Sequence, residues 1–491
     1  MRVPLAHYPG MNRFVLDWLG GDERFLRRAT PNPPRRVSLS PELATAIDQS
    51  NRHWGIFASD ALRRWASGET LTIVAGQQVG FAGGPLYTLA KIATLVRFKR
   101  DMEKQGIPVT PFFWLATEDH DFDEAATLCV PVKNAQRDLL CMRAVRTTPN
   151  RAIVGTQPIP ETLITQLLSL AHLPRPTWLR EGITFRDSFA ELIASIFGSE
   201  VILVDALLPE LRRAGAPLFD QIRTRESEIQ AALRERSAAL KSAGYNEQVT
   251  PNEAGEYTLL YSLDDHDHRQ PITGDTPAER ISTSALTRPL LQDSVLQPDI
   301  FVGGPAEVAY YAQLAPLHQL LGVRTPRVAL RAHALVAPRR VLRAFERYEI
   351  DPAQVFASAD AILTEREPEG VARIREIAEQ GKRELLARVT EIGELALPAD
   401  HSLAGSIQKS IGHLEWHFNK LSERAIKGLV RKDKERLAAT RDLVATLYPD
   451  GNVQDRIASW FAMWCEHGQH LVDRLVDELE PDSAFFRIVE L

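Results

Sequence analysis

The chain has 491 residues, 44% of them hydrophobic and 25% charged, with 58 basic against 64 acidic side chains and a formal charge of −6. Such a composition suits a globular protein of about three domains. The acid excess, and the lack of a basic stretch studded with aromatics, argue against a nucleic-acid partner, and no run of about 18 apolar residues offers a membrane span.

The opening residues, MRVPLAHYPGMNRF, carry no apolar core followed by a cleavage site, so no leader is expected. Cys129, Cys141 and Cys465 form no C-x-x-C pair and predict no disulfide framework. They read as small buried apolar side chains suited to a reducing cytoplasm.

Residues 1–70 read as mixed helix and loop, with a Pro-rich connector at 29–41 and a helical pattern at 41–67. The stretch 71–91, LTIVAGQQVGFAGGPLYTLAK, is the one around which the rest of the chain is organised. Its first five residues are a buried strand by composition. Gly76, Gly80, Gly83 and Gly84 then form a loop carrying Gln77 and Gln78, and Pro85 opens a helix. A strand, a glycine loop and a helix start aim backbone N–H groups at an anion, although neither the dinucleotide nor the P-loop spacing is present. Tyr87 and Lys91, four apart, share the helix face toward the loop, with Thr88 between them.

A second strand at 109–117 completes a βαβ unit, which is expected to be parallel and right-handed. The cluster Glu118, Asp119, His120, Asp121 follows at its edge. Asp121 can cap the next helix, with Glu124 closing the capping box. Asp119 and His120 have no such structural reason. A histidine flanked by acids reads as a general base with its pKa raised, or as a substrate contact. No second His or Cys at ligand spacing supports a metal there.

Short strands and Pro-rich turns at 128–180 suggest an insertion. A helix at 185–197, a strand at 200–205 and a long helix at 209–242 return to the core pattern, and 244–287 reads as a second, irregular insertion. Its acidic, His-containing loop at 264–268 is read as solvated. Arg288 and Gln292 precede a fourth strand at 298–302, and Arg288 suits a carboxylate. Gly303, Gly304 and Pro305 open a second helix carrying Glu307, Tyr310 and Tyr311, and a fifth strand lies at 326–330. Glu307 either offsets the helix dipole or meets a ligand amine or hydroxyl.

From 361 onward two amphipathic runs, Val371 to Leu395 and Ile407 to Ala425, flank Pro398 and predict an antiparallel coiled-coil hairpin. Gly381 and Arg388 weaken its seam. A last helical region, 453–478, is rich in Trp and Phe.

The motifs GQQVGFAGGPLYTLAKI (76–92), FFWLATEDHDFDE (112–124), RPLLQD (288–293) and VGGPAEVAYYAQL (302–314) together resemble the cysteine-adding enzymes of bacillithiol biosynthesis, the BshC family. The resemblance extends over essentially the whole chain. It implies an α/β fold with a Rossmann-type parallel-sheet core, two connecting-peptide insertions and a coiled-coil dimerisation arm. The parts are then core at 1–127, 185–243 and 288–360, insertions at 128–184 and 244–287, arm at 361–447, and a helical terminal segment at 448–491 packing on the core.

The implied partners are L-cysteine and glucosaminyl-malate, joined as an amide in a cytoplasmic homodimer. ATP is the expected activating nucleotide; no metal is assigned. On this reading His120, Asp119 and Lys91 serve the chemistry. Gln77, Gln78, Gly80, Gly83, Gly84, Tyr87, Thr88, Glu118, Asp121, Arg288, Gln292, Gly303, Gly304, Glu307, Tyr310 and Tyr311 hold substrate or nucleotide. The basic segment 326–340 is the nearest candidate for a signature loop. A nucleotidyltransferase with another substrate, or a non-catalytic nucleotide-binding coiled-coil dimer, stays open beside the ligase.

Overall fold

The computed structural model describes residues 1–28, 39–132, 138–365, 370–432 and 434–491, so most of the Pro-rich connector falls outside the described residues. The chain divides into two compact units, Met1–Ala337 with Asn452–Leu491, and Pro338–Gly451.

The first unit is built on five parallel strands: β1 (Leu71–Gln77), β2 (Val109–Leu115), β3 (Ile202–Asp205), β4 (Ile300–Gly303) and β5 (Arg327–Leu330). Each is one of the apolar runs read from the sequence. They are buried almost throughout, because helices cover both faces of a parallel sheet. The spatial order is β5-β4-β1-β2-β3. The chain lays β1, β2 and β3 outward in one direction, then returns to the other side of β1 for β4 and β5. Strand order therefore reverses between β1 and β4, and a crevice opens at their carboxyl ends, where α/β sheets bind ligands. The helix α1 (Leu86–Glu103) follows β1 and α2 (Pro305–Leu320) follows β4, so both start at this crevice. The β3 edge is closed by Asn51, whose side chain donates to the Leu203 carbonyl at 2.7 Å and accepts from the Leu203 N–H at 2.9 Å.

Several elements differ from the sequence reading. The pattern at 41–67 is two helices, Pro41–His53 and Ser59–Ala66, because the chain between them turns Trp54 and Ile56 into the core. The long helix at 209–242 is three, Pro209–Ala214, Ala216–Thr224 and Glu226–Ser242. Pro217, lacking an N–H, restarts the second of them. The last residues are not helical: strand Phe485–Glu490 lies between Arg2–Pro4 and His333–Ala337. Its partners are far away in sequence, so local pattern gave no sign of it.

Cys129 and Cys141 are directly opposed on the antiparallel pair Thr127–Pro131 and Leu139–Arg143 and are joined as a disulfide. This overturns the expectation of no disulfide. Spacing alone does not show that the hairpin register sets the two side by side. Cys129 is buried, whereas Cys141 and the free Cys465 are exposed, so the apolar-core reading holds for Cys129 alone.

In the second unit the helices α3 (Val371–Ala396) and α4 (Ala404–Lys432) pack side by side. Gly370 lies beside Leu429, Gly381 beside Phe418 and Gly393 beside Ile407, which fixes an antiparallel register. Gly381 gives the Phe418 ring room on the seam. No helix among the described residues is long and apolar enough to cross a membrane.

Candidate active site

The crevice between β1 and β4 is a cleft of about 380 Å³. Its floor is one chain of hydrogen bonds. Lys91, 2% exposed, spends its three donors on the Gly76 carbonyl at 2.8 Å, on Gln77 Oε1 at 3.0 Å and on Glu307 Oε2. Gln77 Nε2 donates to the Tyr87 hydroxyl at 3.2 Å, and that hydroxyl donates to Glu124 Oε1 at 3.0 Å. At the other end Glu307 accepts the Gly304 N–H at 2.7 Å, the returning half of a capping box. Gly303 permits this approach, since a Cβ there would stand 2.9 Å from the Glu307 Cβ. The two helix starts thus share one site through the Lys91–Glu307 pair.

Burial pulls the Lys91 ammonium below its ordinary value, against the charge of Glu307. Burial alone would raise the Glu307 carboxyl, but Lys91, Arg288 and the Gly304 N–H hold it below the usual range. Tyr87 and Tyr310 are pushed well up, chiefly by burial, and stay protonated donors.

Arg288, Arg331 and Arg456 supply further positive charge to the cleft, and Asp119 and Glu124 face them. Arg288 donates to the Tyr310 hydroxyl and, at 3.4 Å, to Gln292 Oε1. Arg331 lies 5.5 Å from the Tyr87 ring centre and is held from behind by the buried Asp455 at 3.0 Å. Gln78 donates to the Asp121 carbonyl at 2.7 Å, and its Oε1 has no partner among the described residues. Cations, free carboxylate edges and an unused amide oxygen suit a ligand carrying both carboxylate or phosphate and hydrogen-bond donors.

Of the residues singled out from sequence, Gln77, Gln78, Tyr87, Lys91, Asp119, Arg288, Gly304, Glu307 and Tyr310 line this cleft. The others stand elsewhere. Gly83 packs beneath Trp460: its carbonyl accepts the indole N–H at 2.8 Å, and a Cβ would fall 2.2 Å from the ring. Gly80 and Thr88 pack against Gly84, which borders a neighbouring cavity. At the start of α1 the Leu86 N–H is already taken by the Ala458 carbonyl and the Thr88 N–H by the Pro85 carbonyl, both at 2.9 Å.

Glu118 is buried and accepts from Arg212, Ser282 and both the N–H and hydroxyl of Thr283, which anchors the second insertion to the end of β2. Asp121 caps Phe122–Ala125, as its position suggested. Gln292 and Tyr311 both bond the buried Asp293, which also pairs with His318 at 2.9 Å.

His120 does not line the cleft. Its ring is half exposed, with Nδ1 3.2 Å from the Arg269 guanidinium, and burial and then Arg269 lower its pKa. The expected upward shift is therefore reversed, first because burial disfavours the charged ring and then because the insertion brings Arg269 beside it. In the loop at 264–268, Asp264 turns back to accept the His266 and His268 N–H groups. No group of three metal-ligating side chains occurs among the described residues.

Sequence reasoning missed Glu124, Arg331 and Arg456. Glu124 was absorbed by the capping box, Arg331 sat inside the basic segment 326–340, and Arg456 gave no local signal.

Fold and cleft together define a Rossmann-like α/β protein with a small-molecule site at its strand-order reversal, joined to a coiled-coil unit. The family model for the N-terminal Rossmann-like domain of the bacillithiol biosynthesis protein BshC matches residues 20–276 and 273–332, and that for its C-terminal coiled-coil domain matches 334–491. The chain belongs to the BshC family. A relative from Koribacter versatilis is 30% identical, covering 97% of each chain. One from Solibacter usitatus is 27% identical over 93% of this chain and 90% of its own, and one from Geobacillus kaustophilus 26% identical over 86% and 84%. All three bear the provisional name cysteine ligase BshC.

Proposed function

We propose that the chain is a cysteine ligase of bacillithiol biosynthesis that joins the carboxyl of L-cysteine to the amine of glucosaminyl-malate. The observation that carries this reading is the cleft at the strand-order reversal, where Arg288, Arg331 and Arg456 gather around one space. Malate brings two carboxylates, and guanidiniums suit them.

An amide does not form from a free carboxylate without activation. ATP, when bound, would supply it as the group donor to the cysteine carboxyl. The cleft's cations fit the phosphate groups as well as the malate carboxylates, and the three arginines would be shared between them. Lys91 is already committed to Glu307, so its part is to fix the floor rather than to meet the charge that develops in activation. Asp119, on the cleft wall, has its Oδ1 occupied by the N–H groups of His120 and Asp121, which leaves Oδ2 for substrate.

The reading includes a cytoplasmic homodimer formed through the hairpin. Ile377, Ile392, Leu395 and Leu421 are 56%, 64%, 79% and 66% exposed, an apolar surface that a second copy would cover. The test incubates the purified chain with ATP, L-cysteine and glucosaminyl-malate and measures the amide product by mass spectrometry, with nucleotide turnover in parallel. Cysteine-dependent turnover with amide product supports the ligase. Turnover without amide makes it a nucleotidyltransferase, and nucleotide binding without turnover makes it a non-catalytic protein.

A further inference from the structure

Beside the cleft lies a second cavity of about 410 Å³, and Tyr87, Glu124 and Arg456 line both. The two spaces differ in charge. The cleft sets four cations against three carboxylates. The second cavity sets Asp121, Asp123 and Glu124 against Arg143 and Arg456. An independent feature marks it as built for a ligand: Ser459, on its wall, is 1% exposed, and its Oγ has no hydrogen-bond partner among the described residues. A buried hydroxyl is seldom left unpaired without a reason.

We propose that this cavity is an ammonium subsite that takes the amino-sugar end of the acceptor, with Glu124 as the base that removes the amine's proton. The choice of an amino sugar rests on the ligase reading; the charge preference does not. The carboxylates meet the ammonium, and the Ser459 hydroxyl is the one left for the sugar, since the Thr127 hydroxyl already donates to the Asp123 carbonyl and accepts from Arg143. An N–H bond of the ammonium breaks and an O–H bond forms on Glu124, leaving a neutral amine with its lone pair. Tyr87 holds Glu124 Oε1 at 3.0 Å, so Oε2 is the receiving atom. Burial, and then the neighbouring Asp121 and Asp119, lift the Glu124 carboxyl above its ordinary value, against the Tyr87 hydrogen bond. That brings it closer to the affinity a base needs at neutral pH. Because Glu124 lies on the wall shared with the cleft, the freed amine faces the carboxyl activated there.

Calorimetric titration of the full chain with D-glucosamine and with N-acetyl-D-glucosamine, which keeps the ring and lacks the charge, is the test. The expected result is that glucosamine binds at least about tenfold more tightly, a difference of roughly 1.4 kcal/mol. Glu124→Gln should erase the preference while N-acetyl-D-glucosamine still binds, and Ser459→Ala should weaken both sugars by a few fold. In the ligase assay Glu124→Gln should lower kcat about a hundredfold, as loss of a general base does, and leave the KM for cysteine unchanged. Equal affinity for the two sugars, no binding of either, or a preference that survives Glu124→Gln overturns the proposal. A chain that discriminates the sugars yet makes no amide keeps the subsite and loses the ligase reading.

Discussion

Lys91 and Glu307 lie 216 residues apart and form one buried pair, so they should stand or fall together. Lys91→Met keeps most of the side-chain volume and removes the charge. It leaves Glu307 facing the Gly304 N–H and Arg288 without its nearest cation, and removes the Lys91 donor from the Gly76 carbonyl. Removing one partner of a buried pair costs about 3–5 kcal/mol. Glu307 is 20% exposed, and the water it keeps places the cost near the lower end of that range. Glu307→Met removes the other charge, and the double variant should lose less than Lys91→Met alone, because no uncompensated carboxylate remains. The coupling in that cycle should reach about 2 kcal/mol, well beyond additivity. Urea unfolding followed by tryptophan fluorescence reads it, since Trp416 is the one tryptophan of eight outside the first unit. The reasoning is refuted if Lys91→Met unfolds within about 0.5 kcal/mol of wild type while turnover collapses. Lys91 would then be free to meet a substrate anion.

Gly83→Ala should destabilise by about 2 kcal/mol or more, since the new Cβ meets Trp460, and Trp460→Leu in that background should recover part of the loss in thermal melting. The His120 ring should titrate below 6.5 and be neutral at pH 7; Arg269→Ala should move the midpoint upward, read by NMR with His120→Ala for assignment. Burial would raise Glu118, but Arg212, Arg269 and the Thr283 bonds hold it below its unfolded value of 4.5. The stability it contributes is therefore complete above pH 4.5 and is lost as pH falls through the folded value. Glu118→Gln should weaken the fold at pH 7 and flatten the loss of stability in acid, measured by urea midpoints at several pH values.

The five core strands could be read from sequence because each is a short apolar run with a turn signal behind it, and a parallel sheet needs nothing more local than that. The cleft could be read in half. Gln77, Tyr87 and Lys91 stand on one continuous stretch, and helical spacing places the last two on one face. What they do could not be read, because it depends on contacts across the sheet. Lys91 reads as free until Glu307 is beside it, and His120 reads as activated until Arg269 is. Gly83 reads as serving a ligand, and Trp460, nearly four hundred residues later, gives it another reason. Arg331 and Arg456 reach the cleft from β5 and the final segment, where no local pattern distinguishes them from ordinary surface arginines.

The small sheet of Arg2–Pro4, Phe485–Glu490 and His333–Ala337 has a consequence for how the protein is made. A ribosome finishes residues 1–337 long before it reaches 485. At roughly 5–20 residues per second, the intervening stretch takes on the order of ten to thirty seconds. For that time two strands of the first unit wait with unpaired edges for a third that has not been synthesised. The Trp460 ring against Gly83 and the Ala458 carbonyl at the start of α1 arrive in the same late segment. The helical hairpin, whose contacts are local, can form during the wait. The nascent first unit is thus committed to an incomplete state while the second is being built.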